Sequence, residues 1–215
     1  MKSVAYVTTA FPTQTFFLEN EIYRLLARGV RVRVYRLRGP GENVQPEHLV
    51  LGAIATSVGS PFDARAWAAL LGWLVRRPQV LIPEFLGMVW ASRGSLYALA
   101  GHVGYLPAAA RVASLVESER IERIHGGWAH WPGSVGYLAS RLTGRPFSMA
   151  AHAGSDLYRT QAFLARKVRA ADFVSACVRG NAEMLRDLAG PGARVEWISN
   201  GVDRKRFDGL GRARA

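Results

Sequence analysis

The sequence predicts an α/β fold, a doubly wound, mainly parallel sheet with helices on both faces. Three observations predict it. Short β-branched and apolar runs alternate with helix-period runs along most of the chain, the rhythm of successive βαβ units. A strand, a helix and a strand fit into the first 37 residues, which is a right-handed parallel crossover. Polar and glycine-rich residues gather where strands end and helices begin, and there such sheets bind their ligands.

The elements follow in order. "SVAYVTT", 3–9, is β-branched and apolar and reads as a buried strand. Leu18, Ile22, Leu25 and Leu26 form the stripe of an amphipathic helix that starts near Phe16. Thr13 or Thr15 caps its start, and Gly29 suits the position past its end. "VRVRVYRL", 30–37, alternates valine with arginine as a strand does. "RGPGENVQPEH" is loop by composition. Residues 64–118 read as a helical insert. Its first helix has Trp67, Leu70, Leu71 and Leu74 on one face and stops before Pro78. Its second covers roughly Pro83 to Ala91. Its third runs from about Pro107 to Ser118, with Val112, Leu115 and Val116 buried. The βα rhythm then resumes. "IERIH", "PFSMAA", "DFVSAC" and "RVEWIS" are strands, which makes six in all. "PGSVGYLASRLTG", "QAFLARKVRAA" and "RGNAEMLRDLAG" are the helices between them. Pro132 sits in the first turn of its helix and Gly144 at the end.

Composition bounds the function. With 215 residues, 49% hydrophobic and 20% charged, the chain can bury a good-sized core. The single Cys177 excludes an intrachain disulfide and a cysteine-rich zinc site, and fits a reducing, cytoplasmic setting. The five histidines have no metal-ligand spacing, so no metal is expected. The first residues hold an apolar run too short for a signal peptide, and no stretch is long and apolar enough for a transmembrane helix. The net charge of +12 rests on 25 arginines and 3 lysines, with no interleaving of basic and aromatic residues. That points to an anionic small partner, such as a phosphate, a nucleotide sugar or a lipid headgroup, and not to nucleic acid. Within 64–113, Trp67, Trp73 and Trp90 lie among Leu, Val and Ala, with five arginines against Glu84. This is either ordinary core or a helical surface lying on an anionic membrane.

The candidate site collects four loops at the carboxyl ends of strands: "TAFPTQT", "GGWAHWP", "HAGSD" and "NGVD". A parallel sheet brings all four to one edge. His152 is the candidate catalytic residue, orienting a hydroxyl by hydrogen bonds; its alternative is a helix cap. Thr9, Phe11, Gly126, Gly127, Trp128, Ser155, Asp156, Asn200 and Gly201 are candidate substrate contacts, with Asn200, Gly201 and Asp203 alternatively shaping an interdomain turn. Asp156 orients rather than acts as a base. Gly126 and Gly127 either admit a ligand close to the backbone or make a tight turn. Trp128 and Trp131 either stack on a sugar or pack. His125 reads as structural, and His130 stays open.

"FPTQTFFLENEIYRLLARGVRVRVY", "RIHGGWAHWPGSVGYLASRLTGRPFSMAAHAGSDLY" and "VEWISNGVDRKRF" together resemble the N-terminal, acceptor-side domain of family-4 glycosyltransferases of the GT-B fold. The likeness runs through most of the chain and is weakest from about 40 to 105. Gly127 departs from the family, which often has a second histidine there. The resemblance implies a Rossmann-like domain over 1–203, one half of a GT-B fold. Residues 204–215 would be a basic tail or the start of an interdomain linker, with the C-terminal donor-binding domain absent. It further implies hexosyl transfer with retention from a nucleotide-sugar co-substrate held mainly by that second domain, in cis or in trans. The acceptor would be a glycan, a glycolipid or a small-molecule hydroxyl, and no cofactor or metal is implied. The isolated chain is then expected to be inactive, in the cytoplasm or peripheral at the inner face of the membrane. The alternative is a non-catalytic Rossmann-like module that binds a sugar, a nucleotide or a protein.

Overall fold

The computed structural model describes residues 2–13 and 16–201. The expected tail at 204–215 lies outside the described residues. A seven-stranded parallel sheet has the order β3-β2-β1-β4-β5-β6-β7. Its strands are β1 (Ser3–Thr8), β2 (Arg31–Arg36), β3 (Ala55–Ser57), β4 (Arg123–Gly126), β5 (Phe147–Ala151), β6 (Phe173–Ala176) and β7 (Val195–Trp197). The helices are α1 (Phe16–Ala27), α2 (Ala64–Arg76), α3 (Pro78–Ala91), α4 (Leu96–Gly104), α5 (Leu106–Ser118), α6 (Trp131–Thr143), α7 (Leu164–Ala170) and α8 (Arg179–Ala189).

Right-handed crossovers decide where each helix lies. The step from β1 to β2 moves one way and puts α1 on one face. The steps from β3 through β7 move the other way and put α5 to α8 on the opposite face. The side chains report the same division. Ala5, Val7, Ile124, Phe147, Met149, Val174 and Ala176 join the large core with α5 to α8. Tyr6, Val32 and Val34 point to the other face and pack with Leu18 and Ile22 of α1. That smaller core stops at β1. Over β4 to β6 the same face carries His125, Ser148, Ala150, Phe173 and Ser175, and these border open space.

Several details correct the sequence reading. The sheet has seven strands, because Ala55–Ser57 pairs with β2 as a short edge after a 3-10 segment at Pro46–Ile54. Three residues without an apolar run leave no strand signal. Helix α3 starts at Pro78, not near Pro83, since proline suits a first turn; Pro83 then lies inside it. Helix α4 was not expected; Ser95 caps it by accepting from the Ala98 N–H at 3.2 Å. Helix α7 is shorter than the run 161–171. In α2 the buried residues are Ala66 and Trp73, while Trp67, Leu71 and Leu74 are exposed. In α5, Val112 and Val116 are buried and Leu115 is half-buried.

Two glycines do positional work. Gly144 takes φ +72° past the end of α6, and its N–H donates to Ser140 O at 2.8 Å. A Cβ on Gly126 would stand 2.9 Å from Gly133 Cα, so the bare backbone lets α6 seat on the end of β4.

Candidate functional site

The parallel register places Thr9, Gly127, His152 and Ser199–Asn200 just past the carboxyl ends of β1, β4, β5 and β7. Four loops far apart in sequence therefore meet at one edge. A cavity of about 940 Å³ opens there and runs down the bare face of the sheet. Gly127, His152, Asn200 and Gly201 line its upper end, and Phe17 and Glu21 of α1 form one wall. Lys2, Glu122 and Arg123 mark its lower end.

His152 is held from three directions. Its N–H donates to Asp156 Oδ2 at 2.7 Å. Its carbonyl accepts from Asn181 Nδ2 at 2.5 Å. Its ring Nε2 lies 3.2 Å from the Gly127 carbonyl, which can only accept, so Nε2 carries the proton and Nδ1 is left as the acceptor. The ring sits between Trp128, at 4.5 Å between centroids, and Phe17, at 4.9 Å. Burial pushes its pKa below the ordinary histidine value, against the opposing pull of Asp156 and the Gly127 carbonyl. The imidazole is thus neutral at neutral pH.

Asp156 is the hub. It is 1% exposed. One oxygen, Oδ1, accepts from the His130 N–H at 2.8 Å and from His130 Nδ1 at 3.0 Å; the other serves His152. Behind it Lys167, also buried, donates to Ala129 O, to His130 O at 3.2 Å and to Ser134 Oγ at 3.0 Å. Burial lowers Lys167 to about 8, although Asp156 opposes the shift. Ser134 continues the chain to His102 Nε2 at 3.0 Å, and His102 Nδ1 meets Ser92 Oγ at 2.8 Å. A polar network therefore runs from the insert helices to the site loop.

The bare sheet face adds a second cluster. His125 is 6% exposed; its Nδ1 lies 2.9 Å from Ser148 Oγ, and Nε2 has no partner among the described residues. Tyr6 donates to Glu21 Oε1 at 2.7 Å, and its ring lies 4.8 Å from His125. Burial, then Glu21, pushes the Tyr6 hydroxyl well up.

The structure sorts the expected residues. Gly127, His152, Asn200 and Gly201 share the cavity wall. Trp128 packs on His152 and stands outside that wall. Thr9 sits at the same edge, where its carbonyl accepts from the Arg38 N–H at 2.7 Å. Gly126 is buried as the seat of α6. Phe11 and Asp156 do not line this cavity: Phe11 is fully buried in the α1-side core, and Asp156 spends both oxygens inside the loop. The side chain of Ser155 lies outside the described residues. Sequence reasoning missed Phe17, Lys167 and the His130–Asp156 pair. Only the last had a signal, a second histidine near the first. Among the described residues, no group of three or more His, Cys, Asp and Glu could hold a metal ion.

The sequence pattern of Glycosyltransferase Family 4 matches residues 17–206. The chain belongs to that family. Its strand-end loops and half-open sheet are therefore those of a family-4 domain. No curated protein is significantly similar to it. Solved structures share the fold. MurG of Acinetobacter baumannii is 13% identical at a TM-score of 0.54, over 94% of this chain and 46% of that one. Anabaena Alr3699/HepE in complex with UDP is 15% identical at 0.55, over 99% of this chain and 50% of that one. The same protein with UDP and glucose is 14% identical at 0.55, over 99% and 51%. This family-4 domain spans about half the length of the structures it matches. It has the architecture of one half of a GT-B glycosyltransferase.

Proposed function

We propose that this chain is the acceptor-binding half of a retaining glycosyltransferase. A nucleotide-diphosphate sugar, carried mainly by a second Rossmann-like domain, is the donor. In the reaction the bond from the anomeric carbon to the phosphate oxygen breaks. A bond from that carbon to an acceptor hydroxyl forms, and the hydroxyl proton leaves with the nucleotide diphosphate. The acceptor is a hydroxylated glycan, glycolipid or small molecule.

The observation that carries this reading is His152. A neutral imidazole with its Nε2–H turned to Gly127 and Nδ1 left as acceptor lines the cavity at the strand ends. Such a ring accepts a hydrogen bond from a sugar hydroxyl and fixes its direction. Trp128 and Phe17 hold the ring, and Asp156 fixes the backbone beneath it. Gly127 and Gly201 both line the cavity, and the bare backbone of Gly201 has open space beside it.

The test is a transfer assay with radiolabelled nucleotide sugars, with this domain joined to, or mixed with, a donor-binding domain. His152→Ala is expected to lower turnover about 100-fold, with the melting temperature held within about 2 °C. A folded and fully active His152→Ala protein would sink the role. A joined protein that binds sugar but transfers none to any acceptor would instead favour a binding module.

A further inference from the structure

The helical insert leaves a large apolar surface uncovered. Helix α2 packs on α5, and α3 packs on α6, so both lie outside the layer that covers the sheet. Their inward residues are Ala66 and Trp73, and Leu81 and Met88. Their outer stripes are Trp67, Leu71 and Val75 on α2, and Ile82, Leu86 and Trp90 on α3. Both stripes follow helical spacing, and one residue, Arg77, joins the two helices. Val75 is 83% and Trp90 70% exposed. Phe62, just before α2, is 93% exposed, and Leu96, at the start of α4, is 85% exposed. A run of large apolar side chains this exposed marks an interaction site.

Charge says what covers it. Arg65, Arg77 and Arg93 flank the stripes at helix ends and make no ion pair among the described residues. Arg76 stacks on Trp73 and pairs with Glu117. Arg93 lies over the Trp90 ring at 4.4 Å. The one acid within α2, α3 and α4, Glu84, is 3% exposed and turned inward to Tyr137, Arg141 and Arg166. Arginines without an ion pair therefore stand at the ends of both apolar stripes, with Asp63, the cap of α2, the one half-buried acid beside them. Tryptophan and arginine beside aliphatic side chains suit the boundary between headgroups and acyl chains. Among the described residues no helix is long and apolar enough to cross a bilayer, so the contact is one of lying on the surface.

We propose that the outer face of α2 and α3 seats this protein on an anionic lipid bilayer, with Trp67 and Trp90 in the interface and Arg65, Arg77 and Arg93 on headgroup phosphates. This does not depend on the sugar-transfer reading, and vesicle binding tests it separately.

The chain is sedimented with vesicles of pure phosphatidylcholine, or of phosphatidylcholine with one third phosphatidylglycerol. Three unpaired arginines should favour the anionic vesicles on the order of 100-fold at low salt, and salt should erase most of that preference. Brominated acyl chains should quench part of the tryptophan emission. Leu71→Ser with Trp90→Ser should weaken binding to both vesicles at least about 10-fold. Arg65→Gln combined with Arg77→Gln and Arg93→Gln should remove only the anionic preference. Both variants alter exposed side chains, and unchanged circular dichroism verifies their fold. Equal and negligible sedimentation with both vesicles at low salt overturns the proposal. So does a dimer in light scattering that the Leu71→Ser, Trp90→Ser protein loses while vesicle binding is absent, because the face would then meet a second copy.

Discussion

Asp156 serves three donors with two oxygens while almost wholly buried. Removing it strands those donors, and each unsatisfied buried group costs about 1–3 kcal/mol. Asp156→Ala should therefore lower stability by roughly 3 kcal/mol in urea unfolding. An unchanged midpoint would show that the loop does not depend on its hub. The histidines predict a pH response. Burial holds His102, His125 and His152 below the ordinary histidine value, with His102 at about 3. At His102 the folded state then binds fewer protons than the unfolded state between about pH 6.5 and 3, and His125 and His152 act in the same direction. Their contribution is complete above pH 6.5 and is lost as the pH falls through that window. For His102 alone the slope approaches about 1.4 kcal/mol per pH unit. Melts from pH 7.5 to 4.5 should show this loss, and His102→Gln should flatten it. The sequence revealed His152 and Asp156 because both follow an apolar strand run. It left Lys167 hidden, since a lysine in a helix reads as solvated until its neighbours are known.

At the scale of elements, close approach and one buried acid set the geometry. Gly126 brings β4 against Gly133 of α6. Gly126→Val should push that helix off the sheet and cost about 2–3 kcal/mol. A wild-type midpoint in urea would refute the contact. Glu84 joins α3 to α6 and α7 by accepting from Tyr137, Arg141 and Arg166 at 2.7, 2.9 and 3.1 Å. Burial would raise its pKa, but these donors outweigh burial and hold it below the ordinary carboxylate value. Strand–helix alternation was legible because each element repeats its own period. The orientation of α2 was not. Its stripe of Trp67, Leu71 and Leu74 has the spacing of a buried face and is exposed. Periodicity gives a helix two apolar sectors here, and only the partner α5 selects Ala66 and Trp73 as the inner one.

At the scale of the molecule, the sheet is covered unevenly. Helices α5 to α8 back one face along its length, and α1 backs only the β1–β2 side of the other. The consequence can be tested with one pair of neighbours on β6. Ser175 faces the cavity and Ala176 the large core. Ser175→Phe should change stability by less than about 1 kcal/mol, because empty space receives the ring. Ala176→Phe should cost about 3 kcal/mol by overpacking. Equal losses would mean that the bare face is filled.

The sequence by itself determined the parallel α/β class, the order of most strands and helices, and the edge at which the loops meet. These follow from local periodicity and from the handedness of crossovers, which need no partner contacts. It also singled out His152 and Gly127 by their place after strands. Tertiary structure alone decided which side chains face the cavity: it turned Asp156 and Phe11 inward and brought Phe17, 135 positions before His152, onto that ring. It alone exposed the outer face of α2 and α3 and left the sheet bare beyond β1. Burial is a property of neighbours in space, and the apolar pattern of a single element does not say which of its faces will find them.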